Sequence, residues 1–279
     1  MIVITGGTGK LGSQVVEELL RRVPADQVGV SVREPGRAAG LAERGVRVRR
    51  GDFADPESLA HAFEGASQVL VVSTDETGET AVRRHAAAID AARDAGAKRV
   101  LYTSHQAAAE DSLFAPMPDH AATERHLAAG VYTALRNGFY ASTVPLLIGR
   151  ARETGELVAP ADGPVSWTAH ADLAEVAAVI LADEGRFDGP TPPLTAPVAH
   201  DLADVADLLG EVTGRTIRRV VAEDEEWVAG LVAHGVPADR ATLLLGMFRA
   251  ARRGEFAVTS PDLEDLLGRP VTPLRTLIG

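Results

Sequence analysis

Apolar positions along the first half of the chain switch repeatedly between two patterns. Met1 to Thr5 is a short apolar run, and a glycine-rich turn leads from it to Val15, Val16, Leu19 and Leu20, spaced for one face of a helix. Val28 to Val32 predicts a second strand ending at Arg33, Gly36 to Arg44 a short helix, and Val46 to Arg50 a third strand. Asp55-Pro56-Glu57-Ser58 marks a helix start, with aspartate as N-cap and proline at the first helical position. Gln68 to Ser73 is a continuous apolar run, as in parallel strands covered on both faces. Thr80 to Ala95 predicts a helix ended by Gly96, and Arg99 to Thr103 a fifth strand. Strands alternating with helices across short turns predict a Rossmann-like α/β fold with a doubly wound parallel sheet.

The second half is less even. Ser104 to Asp119, with Pro116-Met117-Pro118, reads as a loop of the length that often forms a lid or binding surface. His120 to Ala129 predicts a helix and Val131 to Leu135 a sixth strand. Further helices are expected at Tyr140–Arg150, Ala171–Leu181, Asp201–Val212, Glu223–His234, Ala238–Arg253 and Ser260–Leu267, with a strand at Thr216–Val221. The pattern divides into a dinucleotide-binding domain over residues 1–140 and a smaller C-terminal α/β lobe, mainly residues 141–279, closing a substrate cleft.

A formal charge of -11 argues against a nucleic-acid partner, which basic surfaces attract. The absence of cysteine excludes disulfides and thiolate chemistry. No stretch has the ~20 apolar residues of a membrane helix, and the N-terminal run lacks a signal peptide's basic leader. A cytoplasmic protein acting on a small molecule is expected, with oligomerisation left open.

The turn after the first strand carries the chemistry. Gly7, Gly9 and Gly12 fit G-x-G-x-x-G, and Gly6, Gly9 and Gly12 fit G-x-x-G-x-x-G, between a strand and a helix. There, glycines permit a tight turn, close approach of a pyrophosphate and helix–strand packing, while the helix N-terminus offers free N–H groups. Arg33, ending the second strand, favours NADP(H) over NAD, because a guanidinium pairs with a 2′-phosphate. Glu34 could instead serve a ribose hydroxyl, and Arg37 is either a second phosphate contact or a solvated surface residue. Asp52 is placed for the adenine amino group or simply for its turn. Ser73, Thr74, Thr103 and Ser104 end the fourth and fifth strands, beyond which ligands lie in open parallel sheets. A Walker loop is excluded, since Gly9-Lys10 is followed by Leu11. His105, His120 and His126 match no metal-ligand spacing, so no metal is expected.

Thr5-Gly6-Gly7-Thr8-Gly9-Lys10-Leu11-Gly12, Val32-Arg33, Tyr102-Thr103-Ser104, Asp119-His120 with Thr123-Glu124-Arg125, Leu135-Arg136-Asn137-Gly138-Phe139-Tyr140 and Ala169-His170-Ala171-Asp172 resemble the NmrA-like atypical short-chain dehydrogenases, nearest to the bacterial NADPH:quinone reductases. The resemblance implies an NADP-binding Rossmann fold with a small C-terminal lobe, reducing quinones by hydride transfer without flavin. Carried over residue by residue, it implies cofactor contacts from Gly6, Gly7, Thr8, Gly9, Lys10, Leu11, Arg33, Ser73, Thr74, Asn137, Gly138, Phe139 and Tyr140. The Ala128-Ala129-Gly130 turn and the segment from His105 to Pro118 depart from the family's pattern.

The Tyr-x-x-x-Lys pair of ordinary short-chain dehydrogenases is missing: four residues after Tyr102, Tyr132 and Tyr140 stand Gln106, Arg136 and Val144. Reducing an unactivated ketone needs an acid, whereas a quinone yields a weakly basic hydroquinone anion that water can protonate. His120 is the candidate proton donor or carbonyl contact, with Tyr140 and Phe139 as candidate aromatic walls; helix-start and core roles are the alternatives. Trp167 reads as packing between the lobes. The expected activity is an NADPH-dependent reductase of a quinone or conjugated carbonyl. Alternatives are an NADP(H)-sensing regulator without turnover and a tailoring reductase of aromatic natural products.

Overall fold

The computed structural model describes residues 1–279. Nine strands occur: β1 (Ile2–Thr5), β2 (Val28–Val32), β3 (Arg47–Arg50), β4 (Gln68–Val71), β5 (Arg99–His105), β6 (Tyr132–Asn137), β7 (Glu156–Pro160), β8 (Gly189–Pro190) and β9 (Arg218–Ala222). Seven form one sheet in the order β3-β2-β1-β4-β5-β6-β8, and β7 pairs with β9 separately. Every pairing is parallel. Strand order reverses between β1 and β4, which opens a crevice at their carboxyl ends.

Central strands are buried throughout because each faces two helical layers. Ile2 and Ile4 enter one core with Leu70 and Leu101, while Val3 enters another with Val69, Val71 and Tyr102. Helices α1 (Lys10–Leu20), α2 (Ala39–Glu43), α3 (Pro56–Phe63), α4 (Glu79–Asp94) and α5 (Pro116–Leu127) connect the first six strands. Asp55 caps α3 by accepting from the Ser58 N–H, and Gly96, at φ +83°, turns the chain after α4.

The later helices are α6 (Val144–Ile148), α7 (Ala151–Thr154), α8 (His170–Ala182), α9 (Leu202–Thr213), α10 (Asp224–Ala233), α11 (Ala238–Arg252), α12 (Asp262–Leu267) and α13 (Leu274–Leu277). Helices α6, α7, α9, α11 and α13 build a second core with β7, which includes Phe139, Trp167, Phe248 and Phe256. The chain does not remain in that lobe after residue 140. Helix α8 returns to pack on α1, Leu263 of α12 joins the same core, and β8 extends the large sheet.

Several sequence expectations need correction. Pro116-Met117-Pro118 is the first turn of α5, where N–H groups lack intrahelical partners and proline loses nothing. His120 therefore lies in the second turn of α5. Strand β5 continues through Ser104 and His105, paired with Arg136 and Asn137 of an equally lengthened β6. The expected helix at Tyr140–Arg150 is a 3₁₀ turn plus the short α6, broken at Gly149 with φ +50°. Strands β7 and β8 and helices α7 and α13 were not anticipated.

The C-terminal segment is tied down by Asp172, whose side chain is fully buried near the start of α8. It accepts from Arg269 Nη2 at 2.9 Å, the Thr272 N–H at 2.6 Å and Thr272 Oγ1 at 3.1 Å. Asp172→Ala strands the amide and removes the tie, so unfolding free energy should fall by about 2 kcal/mol, read as a lower urea midpoint with unchanged slope.

Candidate active site

The glycine turn is shaped by close approach. Gly6 sits at φ +60°, its N–H donating to Ser31 O and its carbonyl accepting from the Gly9 N–H. A Cβ on Gly12 would lie 2.3 Å from Gly6 O, and one on Gly7 would lie 2.7 Å from a Val30 methyl. These two glycines let α1 close onto the ends of β1 and β2. Gly9 is the N-cap of α1 with no side-chain cap, so the first-turn N–H groups remain available to an anion. Lys10 and Leu11 open that helix. Thr8 is part-exposed beside it.

Arg33 follows β2 directly. The arginines whose guanidinium makes no hydrogen bond or ion pair within the chain are Arg33, Arg37 and Arg240, and the first two stand together at this strand end, both exposed. Asp52 closes its own turn, its carboxylate accepting from the Ala54 N–H at 3.0 Å.

Beyond β4 and β5 most hydroxyls have protein partners. Thr103 Oγ1 accepts from the Ser73 N–H at 2.8 Å and donates to Ser73 Oγ at 3.1 Å. Ser104 donates to Glu124, which also grips Arg136 at 2.7 Å. Thr103 and Ser104 thus join elements, and both are buried. Thr74 directs its N–H to His85 Nε2 at 3.0 Å. Asn137 ends β6 with a buried Oδ1 that has no partner in the chain. Gly138 is required by packing, since a Cβ there would meet Thr168 Oγ1 at 2.2 Å.

The residues expected to act on the acceptor separate into two places. Tyr140 lies against His170, with ring centroids 4.2 Å apart, and burial keeps its phenol protonated. His120 belongs to a polar cluster with Tyr102, His85 and Thr123, and no hydrogen bond joins it to Tyr140. Tyr102 Oη is 2.7 Å from His120 Nδ1, and the His105 ring lies nearly parallel to that of His120 at 6.2 Å. Phe139 is mainly core: it packs edge-on against Trp167, Phe256 and His105 and stacks on the part-exposed Phe114. The segment between β5 and α5 is held to the C-terminal lobe by Ser112 and the Leu113 N–H on Glu255, and by Arg253 on Asp111 O.

Sequence reasoning missed His85 and gave Tyr102 and Thr123 no role of their own. One signal was present: Ala81, His85, Ala88, Ile89 and Ala92 form the buried stripe of α4, so a histidine stands on an otherwise apolar face.

A glycine turn closed onto a bare helix end, at the switch point of a parallel sheet, defines a dinucleotide-binding Rossmann protein. The model of the NmrA-like family matches residues 1–271, and the chain belongs to that family. Quinone oxidoreductase 2 of Escherichia coli is 34% identical, covering 98% of this chain and 96% of its own. The solved structure of an Escherichia coli NADPH-dependent quinone oxidoreductase complexed with NADPH superposes with a TM-score of 0.93, at 33% identity over 100% of this chain and 98% of that one. Citrobacter sp. triphenylmethane reductase complexed with NADP(H) gives 0.92, at 35% identity over 100% and 99%.

Desolvation sets the charge of the histidines. Burial depresses His85 to about 4 and His105 to about 3. His120 is lowered well below its usual value by burial and by its neighbours His105 and His85. Burial, then Lys10, brings His170 to about 4. All four are neutral at pH 7. Unfolding exposes them to ordinary values near 6.5, so the unfolded chain binds more protons at acid pH. Stability should hold above pH ~6.5 and fall as the pH drops towards ~4, by up to about 1.4 kcal/mol per unit for each histidine. Urea melts across that window read this slope. Stability flat from pH 7 to 4.5 would contradict the assignment.

Proposed function

We propose that the chain is an NADPH-dependent reductase that passes hydride to a quinone or a similarly conjugated carbonyl, with neither a flavin nor a Tyr–Lys pair. The observation that carries the cofactor assignment is the unpaired Arg33 and Arg37 beside the uncapped start of α1. A guanidinium pair without carboxylate partners suits a 2′-phosphate, and the free N–H groups of Lys10 and Leu11 suit the pyrophosphate. The unpartnered Asn137 Oδ1 offers an acceptor for an amide N–H on the nicotinamide side. Bound NADPH would supply the hydride. NADP(H) and NADPH in the two related solved structures support the same choice over NAD.

On the acceptor side the chain's own residues have modest work. Part-exposed Phe114, backed by Phe139 and Phe256, gives a flat ring an apolar surface to lie on. His120 offers a contact to the oxygen that takes up negative charge. Water can supply that oxygen's proton, because a hydroquinone anion is weakly basic. Orientation of acceptor against donor then lowers the barrier by several kcal/mol. Tyr140 acts as a wall, since its phenol is held protonated by burial.

Two measurements test the reading. Loss of the NADPH absorbance should be seen with at least one member of a quinone panel; measurable NADPH binding with no turnover on any quinone, dye or conjugated carbonyl would sink the reductase and favour a cofactor sensor. Arg33→Ala should raise KM for NADPH about tenfold or more while leaving KM for NADH nearly unchanged. Equal effects on both cofactors would remove Arg33 from the 2′-phosphate.

A further inference from the structure

We propose that His85 and Tyr102 are positioning residues that fix His120 as a neutral hydrogen-bond donor, its proton on Nε2, facing the acceptor's oxygen. The role at the acceptor rests on the reductase reading above; the state of the ring does not.

One direction of hydrogen bonding runs across four segments of the chain. The Thr74 N–H can only donate, and it meets His85 Nε2 at 3.0 Å. A neutral His85 therefore carries its proton on Nδ1. That N–H faces Thr123 Oγ1 at 3.1 Å and Tyr102 Oη at 3.3 Å. Thr123 gives its own hydrogen to the Asp119 carbonyl at 2.8 Å, so it accepts from His85. On the His85 side Tyr102 meets the Nδ1–H and the Thr123 hydroxyl, which already takes the His85 proton; its shortest partner is His120 Nδ1 at 2.7 Å. The phenol donates there, which leaves Nε2 as the protonated nitrogen of a neutral His120. No protein group pairs with that Nε2. The chain begins at a backbone amide, which cannot release a proton at neutral pH. It is thus a device for orientation and does not conduct protons.

Burial strengthens the scheme. Tyr102 is fully buried, and desolvation raises it far above its usual value, so it stays a donor. The neighbouring His105 is placed in the same state by the Ala107 N–H on its Nδ1 at 3.1 Å. A neutral imidazole N–H stabilises a developing oxyanion without the desolvation penalty of a buried cation.

Nitrogen-15 correlation spectra of the histidine rings, recorded on the full chain without ligands, test the geometry directly. The expected result is a neutral Nε2–H pattern for His120, with a hydrogen-bonded Nδ1, unchanged between about pH 5 and 8. Tyr102→Phe should lose the Nδ1 hydrogen-bond signature and lower kcat for a quinone by about tenfold to a hundredfold, the scale of a misaligned oxyanion donor, with KM for NADPH little changed. His85→Gln, whose Oε1 accepts from Thr74 and whose Nε2 donates, should recover the pattern and turnover that His85→Leu loses. A charged or Nδ1–H His120 in the wild type overturns the proposal, as does a His120 signal untouched by Tyr102→Phe. If wild-type protein shows the pattern but reduces no acceptor, the ring assignment stands and the reductase reading falls.

Discussion

Everything else in this molecule is arranged around the distance between α1 and the strands beneath it. Gly12 faces the Gly6 carbonyl so closely that no Cβ fits between them, and Gly7 leaves similarly little room against Val30. Because the helix sits that low, its uncapped N-terminus opens at the carboxyl edge of the sheet. Helix α8 lies beside α1 on the same face, where Gln68 and Arg99 of the strands donate to the Leu181 and Ile180 carbonyls, and α12 packs on α8. One close contact thus sets both where an anion can bind and how a later part of the chain returns to the first domain.

The opposite face of the sheet solves another problem, that of burying polar groups between helices and strands. His85, Tyr102, Thr123 and His120 satisfy one another in a single direction, and burial favours the uncharged forms of the two histidines and the phenol. Glu124 and Arg136 are handled differently: they stay paired at the rim, with Ser104 as a third partner. Where full charges are buried, as at Asp172 and Arg99, each is held by several hydrogen bonds, as desolvation requires.

The large sheet was legible because its central strands are buried on both faces and its turns carry their own signals, although the edge strand β3 is arginine-rich and only half-buried. Val28–Val32 was read with its observed bounds, Asp55 caps where its spacing predicts, and Gly96 ends its helix. The glycine turn and Arg33 could be read for the same reason, since their meaning is local. Pro116 and Pro118 were misread because proline signals a break inside a helix but not in its first turn. Strand β7 escaped because Glu156–Pro160 has only β9 to pair with and ends on a proline. The partners of His120 could not be found by spacing at all. They lie 18 and 35 positions before it and meet only when α4, β5 and α5 pack.

The latch at Asp172 bears on how the second lobe can move. That lobe leaves the large sheet near Asn137, touches it again through Leu194, bridges the following Tyr140 through Thr168, and is sewn back by α12 and the Arg269–Thr272 segment. A body stitched to its base at several places has no single hinge line. Swinging it open would require several seams to part together, so relative motion is opposed at each of them at once.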